Sequence, residues 1–147
     1  MIPRTLTLTC VLALIVEALV SGCGGAQTVS DARPGSVEAQ IAQGQAAYGR
    51  FCADCHGPAG EGLDAPALVG PGALPLDPPP SRKFRKGQFH TALDVAGFVV
   101  ESMPPKDKPR PDSADVYWAI LAFDLHANGV KLDAPVGPHN AASIVLH

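Results

Sequence analysis

Apolar side chains gather in one mostly uninterrupted run, Leu6 to Val20, and later in three stretches where they recur at helical spacing. The first of these follows Ser36, a residue suited to cap a helix, with Glu38 in the first turn where the helix dipole favours a carboxylate. Ile41, Ala47, Tyr48 and Phe51 then form a loose apolar face, and the pattern predicts a helix over 37–51. Gly44 lies inside it and costs up to ~1 kcal/mol against Ala, which calls for a compensating reason such as close packing. The second stretch, "TALDVAGFVVES", has Thr91 as its cap and Leu93, Val95, Phe98 and Val99 as its apolar positions. It must end before Pro104 and Pro105, which cannot continue a helix and hold the backbone of Met103 extended. In the third, Ser113 and Asp115 mark the start, and Val116, Ile120 and Phe123, with Tyr117, Leu121 and Leu125 beside them, give a broad apolar stripe. Asn128-Gly129 stops it. Trp118, the single tryptophan, is expected to serve in packing.

The segment between the first and second helices is of another kind. From Gly57 to His90 it holds seven prolines and six glycines and shows neither a helical nor a strand period. So long an irregular loop within one domain usually has a function. Composition sharpens the point: the 147 residues include 15 Gly and 15 Pro but only 5% aromatics, poor material for a dense core. Wrapping a large, flat, apolar cofactor would supply the missing buried surface, with Pro66, Leu68 and Leu74 as candidate lining. The net charge of −3 argues against a nucleic-acid partner.

The N-terminal run is shorter than the ~20 residues that span a bilayer, follows Arg4 and ends in small residues before Cys23, which is the order of an export signal. "VSGC" resembles a bacterial lipobox, implying cleavage after Gly22 and a lipid anchor on Cys23. The expected organisation is a signal over 1–22, a flexible tether over 23–36, a folded domain over 37–130 and a tail over 131–147. Once Cys10 leaves with the signal and Cys23 is lipidated, only Cys52 and Cys55 remain for the domain.

Those two lie in "FCADCHGPAG". A structural zinc site wants a second ligand pair, and His90, His126, His139 and His147 are scattered. A redox dithiol wants a strand before its C-x-x-C, whereas the preceding residues read as helix. C-x-x-C-H is also the attachment motif for c-type haem, in which Cys52 and Cys55 bond the vinyl groups and His56 is the proximal iron ligand. If the second axial ligand is a sulfur, Met103 must supply it, because Met1 is the only other methionine. An iron so filled carries one electron and offers no open site. With the distal position open, the same haem would suit catalysis or gas sensing instead.

The order of helix, "CADCH", Pro-rich loop, "SMPP" and closing helix resembles class I monohaem c-type cytochromes, here of lipoprotein type, over residues 37–129. The pattern in "CHGPAGEGLDAP" is similar to that of cytochrome c subunits or partners of periplasmic oxidoreductases. The resemblance implies an all-α fold wrapped around one covalent haem. It implies that Gly44 on the first helix meets an aromatic on the last, Phe123 or Tyr117, and that the Pro66 carbonyl accepts the second ring N–H of His56. It also implies periplasmic electron transfer between a redox protein donor and acceptor, because such motifs receive haem outside the cytoplasm. Two basic clusters, Arg82, Lys83, Arg85 and Lys86, then Lys106, Lys108 and Arg110, either steer an acidic-faced partner or form an ordinary solvated basic surface.

Overall fold

The computed structural model describes residues 35–80 and 85–147. The export signal, Cys23, most of the tether, and Arg82 and Lys83 lie outside the described residues. Helix α1 spans Val37–Phe51, and Ser36 caps it by accepting a hydrogen bond from the Ala39 amide at 3.2 Å. The one-turn helix α2, Ala53–His56, follows directly. After the long loop come α3, Ala92–Ser102, and α4, Ala114–Ala127. Thr91 precedes α3, with its amide and hydroxyl both donating to Asp94 Oδ2 at 2.8 and 2.9 Å. Ser113 starts α4 by position alone, since its hydroxyl makes no capping bond there. Among the described residues there is no strand, only an isolated bridge between Thr91 and Val145.

Gly44 is where α1 and α4 come closest. A Cβ on it would stand 1.8 Å from the Ala119 carbonyl oxygen and 3.0 Å from Phe123 Cβ, so only glycine permits this approach. Phe123 is the aromatic opposite, and its ring also packs on Tyr48 at a centroid distance of 5.2 Å. Tyr117 takes a different role: its hydroxyl donates to the Met103 carbonyl at 3.2 Å.

Helix α4 is buried on more than one side. Ala119, Ile120, Leu121, Ala122, Asp124 and Leu125 are all buried, because α1, α3 and an internal cleft each cover part of it. In α3 the buried positions are Ala92, Val95 and Ala96, while Leu93, expected on the apolar face, is 44% exposed.

Residues 131–147 return to the body of the protein. Val136 and Ala141 are core residues, with Ile144 and Leu146 packed against the same cluster. Gln40 on α1 clamps the backbone of Val136 from both sides, accepting from its amide and donating to its carbonyl, each at 2.7 Å. Ala92 N donates to Ile144 O at 2.9 Å and Leu146 N to His90 O at 2.8 Å, so the tail covers the start of α3.

The buried apolar residues form two clusters. The larger joins α3, α4, the tail, Leu74 and Phe89; the smaller is Ala47 and Tyr48 with Ile120 of α4. A cleft lies along the seam between them.

Candidate functional site

The cleft is partly open to solvent. Both core clusters contribute to its walls, Leu74, Phe89, Val95 and Leu121 from one, Tyr48 and Ile120 from the other. Phe98 and Val99 of α3 and Leu68 of the loop complete the apolar lining. Cys52, Cys55 and His56 reach it from one side, and Met103, Pro104 and Pro105 from the segment after α3. A core divided by a mostly apolar cleft, edged by two thiols, an imidazole and a thioether, fits a flat apolar macrocycle with a metal at its centre.

Local structure explains how each group arrives there. Cys52 is the C-terminal cap of α1, its amide bonded to Tyr48 O at 2.8 Å, and α2 turns the chain so that Cys55 and His56 follow within one turn. Gly57 has φ of 86°, which closes α2 and redirects the chain, and the buried Tyr48 hydroxyl donates to its carbonyl at 2.8 Å. The loop then folds back, with Gly62 N donating to His56 O at 2.7 Å and Ala65 N to Cys55 O at 2.9 Å. This return places Pro66 O 2.7 Å from His56 Nδ1. A carbonyl only accepts, so Nδ1 carries a proton, and Nε2 is the nitrogen that a metal would take. Pro66 is not a cleft wall; its carbonyl fixes the tautomer of the imidazole.

Cys52 and Cys55 are free, half-buried thiols. Burial, with smaller contributions from Asp124 and Cys55, pushes the Cys52 thiol up to about 12. Its position at the C-terminal end of α1 adds to this, since the helix dipole there disfavours a thiolate. A redox dithiol needs the reverse. Among the described residues no group of three or more His, Cys, Asp or Glu forms a metal site.

Met103 has φ −126° and ψ 143°, the extended backbone that its following proline favours. His90, bonded to Gln88, and His126 are both exposed and do not line the cleft. Asp124, which the sequence did not single out, lines the cleft with 7% exposure, and desolvation pushes its carboxyl up to about 7.

Among the described members of the two basic clusters, the arginines do not stand free on the surface. Arg85 is 6% exposed and donates to the carbonyls of Pro75, Leu76 and Gly87, with its guanidinium carbon 3.5 Å from the centroid of the Phe89 ring. Arg110 is half-buried and bonded to the carbonyls of Val100 and Pro104. Both arginines organise loops, and Lys86, Lys106 and Lys108 are the exposed cations left among the described members.

Residues 39–123 match the family described as cytochrome c oxidase, cbb3-type, subunit III. The chain belongs to this family of c-type cytochrome domains. It is a monohaem cytochrome c, and its cofactor is a covalently bound haem c with iron. A chain in the crystal structure of the sulfane dehydrogenase SoxCD from Paracoccus pantotrophus is similar, with 34% identity and a TM-score of 0.51. The match covers 72% of this cytochrome and 52% of the solved chain, so this cytochrome spans about half the length of that relative. No curated protein matches the sequence. Among the described residues, no helix of the cytochrome is long and apolar enough to cross a membrane.

Proposed function

We propose that this protein is an exported one-electron carrier whose haem is joined by thioethers to Cys52 and Cys55 and whose iron is ligated by His56 and Met103. The observation that supports this most is the shared lining of one apolar cleft by the C-x-x-C-H turn and by Met103. The bound haem supplies a single-electron couple, and a sulfur ligand raises its potential relative to harder ligands.

The protein's own residues do the rest. Pro66 O holds the imidazole by its Nδ1 proton and presents Nε2. The prolines after Met103 keep its backbone extended. Leu68, Leu74, Val95, Phe98 and Ile120 exclude water from the cleft. Arg50, Asp54, Pro105, Lys108 and Pro109 line the cleft and are exposed, so they form the rim at which a donor or acceptor protein docks. A rim of two cations and one carboxylate gives weaker steering of an acidic partner than the full basic clusters would.

A periplasmic oxidoreductase is the class of partner we assign, by analogy with the dehydrogenase to which the similar solved chain belongs. Export through residues 1–22 and a lipid on Cys23 would hold the carrier at a membrane surface, next to such a complex.

Mixing the ferrous protein with carbon monoxide tests the ligand set. With Met103 on the iron, no prompt spectral change is expected, and Met103→Ala should bind the gas at once. Prompt binding by the unsubstituted protein would instead indicate an open distal site, suited to catalysis or gas sensing.

A further inference from the structure

We propose that Arg110 is a positioning residue for the sulfur ligand: its guanidinium ties the end of α3 to the segment after Met103 and so holds Met103 at the cleft wall. The inference rests on the reading of Met103 as an iron ligand. Helix α3 has no basic residue in its last turn, and its final carbonyls lack intrahelical donors. The Met103 amide satisfies Val99 O at 2.8 Å. Arg110 reaches one more, Nη2 donating to Val100 O at 2.5 Å, while Nη1 donates to Pro104 O beyond the helix. One acceptor lies three residues before Met103 and the other immediately after it. A cation at a helix C-terminus is also favoured by the dipole.

The arrangement suits arginine in particular. A guanidinium presents donors in a fixed planar fork and can serve two acceptors at once, whereas an ammonium is a single point of charge. Arg110 precedes Pro111, which restricts its backbone to extended conformations. The Tyr117 hydroxyl, from α4, holds the Met103 carbonyl at 3.2 Å. Methionine needs such fastening because its unbranched side chain has three rotatable bonds. The ligand stays in place only if its backbone does.

The test compares holo wild type, Arg110→Ala, Arg110→Lys and Gln40→Ala, the last a substitution in the tail clamp remote from the cleft. The readouts are the long-wavelength absorption band of methionine-ligated ferric haem, followed as pH rises, and carbon monoxide binding by the ferrous form. Losing hydrogen bonds from a charged donor shifts an equilibrium by about ten-fold or more. Arg110→Ala should therefore lose the band at lower pH than wild type and bind the gas about ten-fold faster or more. Arg110→Lys should fall between them, and it carries the test if the alanine variant does not fold. Gln40→Ala should lower the melting temperature and move neither readout. Arginine variants indistinguishable from wild type overturn the proposal, as does a Gln40→Ala effect of equal size. A wild type without the band overturns the ligand reading and this proposal with it, whereas a wild type with the band and unmoved variants overturns this proposal alone.

Discussion

Asp124 is a buried carboxyl in the lining of the cleft, and burial decides its protonation. Its folded-state value is pushed up to about 7, against about 3.9 for an unperturbed aspartate. Between these values the folded protein holds a proton that the unfolded chain releases, so the contribution is fully present below about pH 4 and lost as pH rises through about 7. Asp124→Asn keeps the shape without the titration. Its melting temperature should match wild type near pH 4 and exceed it increasingly up to about pH 7. A constant difference across that range would contradict the assignment. The residues of the motif were legible in the sequence because five adjacent positions specify their chemistry, and the Pro66 carbonyl lies beside His56 as the family pattern implies. Asp124, Arg85 and Arg110 were not legible. A charged residue reads as solvent-facing until the elements that cover it are known, and here they are a loop, a ring and a cleft.

At the scale of elements, the helix ends were well encoded because caps and prolines are local signals. Ser36, Thr91, the proline pair after Met103 and Asn128-Gly129 all mark observed boundaries. The contact between α1 and α4 was implied by family resemblance, and its cause is now geometric. Gly44→Ala should force the two helices apart, since its Cβ would overlap a backbone carbonyl that cannot swing away. Overpacking of this kind costs about 1–3 kcal/mol or more. A melting temperature lowered by several degrees is expected for the holo protein, whereas an unchanged or raised value would show that the helices do not meet there. The tail was the least legible element. It has no periodicity, and its anchor joins Gln40 to Val136, a pairing 96 residues apart that no local pattern announces.

For the whole molecule, the sequence showed few large rings and many loop formers, poor material for a dense core, and the fold shows two clusters flanking a cleft. The irregular loop, α3 and the return of the tail are all arranged around that space, with the C-x-x-C-H turn and Met103 in its lining. What completes the protein is a covalent cofactor. The most direct measurement is the mass of the peptide spanning Phe51 to Pro66, taken from protein matured in its own host and treated with a thiol alkylator. The account predicts that peptide plus one haem, with neither cysteine alkylated. A bare peptide alkylated at both Cys52 and Cys55 would contradict it.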